Sequence, residues 1–259
     1  MSEEKPRKVV FCVPFVDRPS EPLMEALEAS IPIIKEAGWD EGMAQERGNP
    51  YISAARNSML RRALDAHADV IVFLDYDLSF EPGALLTLIE TEGNVVGGTY
   101  RFRMEEEKYM GEVQMRPCGN GMETPDVRTS DGAIKMKSLP AGFLKITKEG
   151  VDHFMRSYPQ LCCSPAYAPT VDLFNHGAHK GVWYGEDMAF CRNWREAGGD
   201  IWCVPDLNIT HHTFRYNRKT KETEHSEFPG NYHEFLLRQP GGSKSANPRP
   251  SADRALKVA

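Results

Sequence analysis

The clearest signal in the chain is a set of short apolar runs separated by stretches of helical periodicity. Lys8 to Pro14 reads as a buried strand, and Ser20-Glu21-Pro22 opens a helix on which Leu23, Ala26, Leu27, Ile31 and Ile34 recur at helical spacing. Asn49-Pro50 predicts a cap with proline at the first helical position. Ile52, Ala55, Met59, Ala63 and Ala66 carry that helix to about His67. Val70 to Leu74 is a fully apolar strand of the kind buried between helix layers, and it stops at Asp75-Tyr76-Asp77. Ser79 with Pro82 predicts a helix start carried by Leu85, Leu86 and Ile89, and Asn94 to Tyr100 returns as a strand. Such alternation predicts an α/β sheet with right-handed crossovers.

Beyond Tyr100 the pattern loosens. A strand is expected around Met110 to Met115, and a Gly/Pro-rich loop or small excursion over Pro117 to Asp131. Two strand pieces in Ile134 to Ile146 are broken at Pro140-Ala141-Gly142, and a helix runs from Thr147 through Phe154. Loop signals fill Ser157 to Val182. A helix from Glu186 to about Ala197 is closed by Gly198-Gly199, and Ile201 to Val204 and Leu207 to His212 follow as extended pieces. The expected organisation is one large domain over 1–228 and a polar C-terminal tail over 229–259, its last fifteen to twenty residues mobile or docked only on binding.

With 259 residues, 41% hydrophobic and 26% charged, the chain is an ordinary globular one that needs no disulfide scaffold. No run of 18 apolar residues and no signal-peptide pattern is present, so a soluble cytoplasmic protein without a membrane span is expected. The six cysteines form no CxxC pair, and Cys12, Cys191 and Cys203 sit in apolar runs as small buried hydrophobes. The net charge of −6 argues mildly against a nucleic-acid partner, yet it hides a split. From Thr213 onward nine Lys/Arg face five acids, leaving the end of the chain about +4 and the rest about −10. Either a solvated tail or a segment that meets a polyanion fits that split.

Three groups of residues could carry chemistry. Asp75 and Asp77 fall at the carboxyl edge of a central strand, where open α/β sheets bind ligands, and strand alternation would turn both toward one divalent cation. A plain surface turn is the alternative. Glu186 and Asp187 open a helix, where exposed amides and the helix dipole favour ionised carboxylates. They read either as good helix-start chemistry or as a general base for an acceptor hydroxyl. His211 and His212 are adjacent on a strand and face opposite ways, so one of them can enter the site as a metal ligand. Neither GxGxxG, GxxxxGK[ST] nor GxSxG occurs, which removes dinucleotide redox, P-loop and serine-hydrolase readings.

In this order the pieces resemble the GT-A glycosyltransferases, particularly family-2-like enzymes that use nucleotide-sugar donors. AARNSMLRRALDAHADVIVFLDYDL resembles that family's Arg-Asn helix, strand and DxD. PAGFLKITKEGVDHF resembles its acceptor-side glycine segment, and YGEDMAFCRNWREAGGDIWCVPDLNITHH its Glu-Asp helix, strand and terminal His. The resemblance covers roughly residues 8–213 and implies an α/β fold with a mixed, mainly parallel sheet flanked by helices. It implies Pro14 and Asp17 near the nucleotide base, Arg56 and Asn57 near the nucleotide, Asp75 and Asp77 at a metal diphosphate, and Gly142 beside the sugar. Asp187, with Glu186, would be the catalytic base, and His212 or His211 a metal ligand. The cofactors implied are Mn²⁺ or Mg²⁺ and a nucleotide-sugar, a UDP-sugar foremost. The QxxRW segment of processive synthases is absent, which implies a single transfer, and attack opposite the leaving group would invert C1.

VVGGTYRFR resembles the matching segment of small stand-alone phage glycosyltransferases, some of which modify hydroxymethylated pyrimidines in DNA. The cluster from His212 to Lys219 fits such an acceptor, with Lys and Arg on phosphates and an aromatic stacked on a displaced base. A DNA acceptor and a host-cytoplasm location follow from that resemblance. A bacterial glycan or glycolipid acceptor, a metal-dependent hydrolase and a non-catalytic nucleotide-sugar-binding module are the other readings.

Overall fold

In the computed structural model, residues 6–119, 122–163, 170–218 and 220–239 are described. An eight-stranded sheet runs in the order Trp39–Arg47, Arg7–Phe15, Val70–Leu74, Phe143–Thr147, Val95–Gly97, Ile201–Cys203, Ile134–Ser138, Glu112–Val113. Six of these strands point one way; Phe143–Thr147 and Ile134–Ser138 oppose them. The fold is therefore α/β, as the alternation predicts, with the mixed, mainly parallel sheet flanked by helices that the family resemblance implies.

The central strands are buried on both faces, and each face packs its own apolar cluster. On one side Val9, Phe11 and Val72 meet Leu23 and Leu27 of helix Glu21–Glu36, together with Leu85 and Leu88. On the other, Phe73, Ile71 and Leu144 meet Met59 of helix Ile52–Asp65 and Phe190 and Trp194 of helix Glu186–Glu196. Ser20 caps the first helix by accepting from Leu23 N at 3.3 Å. Ser30, rather than Ile31, completes its buried stripe.

Several boundaries differ from the sequence expectation. The segment Trp39–Arg47 adds an edge strand, parallel to Arg7–Phe15, that the apolar pattern does not mark because its sequence WDEGMAQER is mostly polar. The second helix starts at Ile52, because the Asn49 side chain accepts from Tyr51 N and closes a turn before it. Ser79 lies in a short strand, Leu78–Phe80, and the helix expected there begins at Ala84. The expected loops carry small antiparallel pairs, Met115–Gly119 with Met122–Pro125 and Gly177–His179 with Val182–Tyr184. The helix Glu186–Glu196 does end as expected, with Gly198 at φ +85°, a left-handed conformation that costs glycine nothing.

The end of the chain holds a long hairpin. Asn208–Asn217 pairs antiparallel with Glu222–Asn231 and, on its other edge, with Leu78–Phe80. The hairpin crosses the 228/229 boundary expected for the tail, and helix Tyr232–Arg238 follows with Tyr232 buried and Asn231 capping it through Glu234 N at 3.1 Å. Lys219 and the last twenty residues, where the mobile end was expected, lie outside the described residues. No described helix is long and apolar enough to cross a membrane.

Candidate functional site

The parallel strands Arg7–Phe15, Val70–Leu74 and Val95–Gly97 all end at one rim, so Asp17, Asp75 and Tyr100 follow from that rim. Phe143–Thr147 runs the opposite way with Phe143 opposite Leu74, which brings its entry residue Gly142 to the same place. The fit is tight. A Cβ on Gly142 would fall 2.2 Å from Asp75 Oδ2 and 2.3 Å from the Tyr100 hydroxyl, so only glycine lets the two segments meet. Asp75 N donates to the Gly142 carbonyl at 2.9 Å.

Arg56 is the centre of the cluster. Its guanidinium is buried, lies over the Phe174 ring, and donates to Asp75 Oδ1 at 2.9 Å and to Glu186 Oε1 at 2.8 Å. Two carboxylates from distant segments thus share one cation that cannot leave without exposing buried charge. The Tyr100 hydroxyl donates to the other Asp75 oxygen at 3.3 Å. Burial pushes this phenol well above its ordinary value and the Asp75 charge adds to the shift, so Tyr100 stays a donor at neutral pH.

Asp187 sits beside this network, with Oδ1 accepting from Met188 N at 2.7 Å. Its carboxyl is raised above the ordinary aspartate range, by burial first and by the neighbouring Glu186 second. Desolvation and a like charge outweigh the one backbone hydrogen bond, and Asp187 becomes a stronger base than an ordinary aspartate.

Asp77 faces a second group. It is buried, pairs with Arg103, and has His211 Nε2 at 3.8 Å. His211 Nδ1 lies 2.8 Å from the Arg101 carbonyl, which can only accept, so Nδ1 carries the proton and Nε2 the lone pair. Arg103 Nε donates to that lone pair at 2.8 Å. Burial pushes His211 below its usual value and keeps it neutral. The expectation that alternation turns Asp75 and Asp77 to one cation fails because residues 75–77 form a turn, which sends the two carboxylates to different partners.

The remaining expected residues divide. His211 enters the rim, whereas His212 points to the opposite side, with Nε2 2.7 Å from Ser79 Oγ and Nδ1 2.9 Å from His225 Nε2. As a ligand at the aspartates, His212 is excluded by strand alternation. Asn57 donates to Asp172 Oδ1 at 2.6 Å. Pro14 is buried within its strand, and Asp17 is exposed at the rim, paired with Arg47 at 2.7 Å. Tyr100 and Arg103 were legible only as part of the VVGGTYRFR segment and not as site residues, while Asp172 carried no signal because its partner is 115 residues away.

Asp77 Oδ2 and His211 Nε2, 3.8 Å apart and both engaged by Arg103, are the rim pair that could hold a divalent metal such as Mn²⁺ if Arg103 moved aside. Asp75 is committed to Arg56 and Tyr100.

No known protein family and no curated protein matches the sequence. Among solved structures, A197 from STIV superposes over 84% of this chain and 92% of its own, at 15% identity and a TM-score of 0.48. GalNAc-T7 with UDP, GalNAc and Mn²⁺ matches at 11% identity and a TM-score of 0.46, over 81% of this chain and 44% of its own. The Drosophila β1,4-galactosyltransferase 7, solved as a mutant with manganese, UDP-Gal and xylobiose, matches at 15% identity and a TM-score of 0.41, over 76% of this chain and 64% of its own. The chain thus spans less than two thirds of either transferase, and likenesses this distant assign no activity.

Proposed function

We propose that the protein is a glycosyltransferase that moves a sugar from a nucleotide-sugar to an acceptor hydroxyl. The observation that carries this reading is the convergence of Arg56, Asp75, Tyr100, Gly142, Glu186 and Asp187 at the carboxyl rim, from segments up to 130 residues apart. The sequence resemblance to GT-A enzymes implies a site drawn from the same segments for Arg56, Asp75, Gly142, Glu186 and Asp187, though not for Tyr100 and not with Asp75 bound to Arg56.

In this reading Asp187 accepts the proton of the acceptor hydroxyl as it attacks C1 from the face opposite the leaving diphosphate, which inverts the anomeric centre. Glu186, fixed by Arg56, orients the helix start that presents Asp187, and Asp75, held by Arg56 and Tyr100, fixes the wall beside Gly142 against which the donor sugar would rest. Asp77 and His211 would hold a divalent cation, which when bound supplies Lewis-acid stabilisation of the leaving diphosphate. Arg103 adds a mobile cation on the same side. Pro14, Asp17 and Asn57 line the approach for the nucleotide.

For the acceptor, a hydroxymethylated pyrimidine in DNA would need the exposed rings of Phe214 and Tyr216, but these share the hairpin face of His212, which turns away from the rim. The register works against it locally, because Arg215 lies opposite Glu224 and Asn217 opposite Glu222, so acids of the return strand offset the basic cluster. Glycan and glycolipid acceptors remain the alternatives. Thermal shift of the purified protein with UDP- and GDP-sugars, each with and without Mn²⁺, tests the donor reading: one nucleotide-sugar raises the Tm in a metal-dependent way, and indifference to all of them overturns it. Salt-insensitive or absent gel shift with hydroxymethylated duplex removes the DNA acceptor alone.

A further inference from the structure

The hairpin face that turns away from the rim gathers a different donor set. Because His212 pairs with Glu227 and Phe214 with His225, strand alternation puts all four side chains on one face. His212 Nδ1 lies 2.9 Å from His225 Nε2 and 3.7 Å from Glu227 Oε1, and His225 Nε2 lies 3.8 Å from the same oxygen. Among the described residues this is the one group of three or more such side chains whose ligand atoms all lie within 4.8 Å of one another.

We propose that His212, His225 and Glu227 form a zinc site on the outer face of the hairpin, separate from any metal at Asp77 and His211. A tetrahedral zinc with bonds of about 2.0–2.1 Å spaces its ligands about 3.3–3.4 Å apart. The observed triangle brackets that spacing, so the ion enters with movements of a few tenths of an ångström. Two imidazoles and a carboxylate are a zinc donor set. The hydroxyl of Ser79 lies 2.7 Å from His212 Nε2 and can accept its proton, leaving the Nδ1 lone pair for the metal, the outer partner that zinc-bound histidines characteristically have. Phe214 stacks on His225 with ring centroids 4.7 Å apart and an interplanar angle of 8°, which fixes that ring. His212 is buried while His225 and Glu227 are exposed, so the fourth position opens to solvent.

The site would clamp the two hairpin strands and, through His212 N donating to the Asp77 carbonyl at 2.8 Å, tie the hairpin to the turn that carries Asp77. This inference stands whether or not the protein transfers sugars.

The test is metal uptake by the full-length, untagged protein, read by elemental analysis after gel filtration and by the visible spectrum of the Co²⁺-loaded form. Wild type should retain one Zn²⁺ per chain and show a tetrahedral Co²⁺ spectrum. His225→Ala and Glu227→Gln, both at exposed positions, should weaken uptake about tenfold or more, and Ser79→Ala should weaken it about 10–100-fold, as loss of an outer partner does. Asp77→Asn, which removes a rim ligand, should leave the tetrahedral Co²⁺ spectrum of the hairpin site in place. Absence of zinc in wild type overturns the proposal. So does a loss of uptake in Asp77→Asn that matches or exceeds the loss in His225→Ala, since that would put the ion at the rim.

Discussion

The two carboxylates of the Asp75-Tyr76-Asp77 turn lie two residues apart and live in different environments. Asp75 is tied to Arg56, whose side chain is 4% exposed and also holds Glu186, with Tyr100 and the Gly142 backbone closing around it. Asp77 is itself the more buried of the two carboxylates, 7% exposed against 29%, yet its cation is Arg103, whose side chain is 42% exposed. A buried arginine shared by two acids is a fixed part of the fold, whereas an exposed one can swing out and yield its place. The difference teaches which side of the turn is scaffold and which is available to a ligand or ion.

The strongest way to sharpen this contrast is at the proposed base beside the scaffold side. Asp187→Asn should reduce transfer about 10²- to 10⁴-fold with donor binding intact, measured by product formation and by thermal shift with nucleotide-sugar. An active variant would remove Asp187 from the role. The same substitution should raise the Tm at neutral pH, because the raised carboxyl of Asp187 favours the folded state only while protonated. That stabilisation is complete in acid and is lost as pH rises through the folded value, so the Tm gap between variant and wild type should close on acidification.

Next in size is Arg56→Met, which leaves Asp75 and Glu186 facing each other without their cation and should cost about 3–5 kcal/mol in urea unfolding. A loss below 1 kcal/mol would make the two sides of the turn alike and break the comparison. Gly142→Ala forces a methyl into Asp75 and Tyr100 and should cost about 1–3 kcal/mol, with donor binding falling more than stability. The smallest effect belongs to the mobile side. Arg103→Ala should change stability by less than about 1 kcal/mol while tightening Mn²⁺ binding, read by isothermal titration, since it frees Asp77 and the His211 lone pair.

The sequence was most legible where periodicity and local chemistry agree. The Val70–Leu74 strand, the Ser20-capped helix and the Gly198 terminus are local decisions, and each was readable from a few adjacent residues. The polar edge strand Trp39–Arg47 was not, since its pairing depends on Arg7–Phe15 and not on its own side chains. The boundary placed at 228 fell inside a strand for the same reason: the polar alternation of Glu222–Asn231 resembles a tail until Asn208–Asn217 lies beside it.

By itself the sequence determined the layered α/β plan, the position of the aspartates at a strand's end and the fact that two adjacent histidines must part company. These follow from hydrophobic periodicity and from the two-residue repeat of a strand, which act within a few residues. Only the tertiary structure decided that Arg56 would bridge Asp75 to Glu186, that His211 and not His212 would face the rim, and that His212 would meet His225 and Glu227 instead. Those choices rest on strand order, register and burial, which join residues from opposite ends of the chain and leave no trace in the neighbourhood of any one of them.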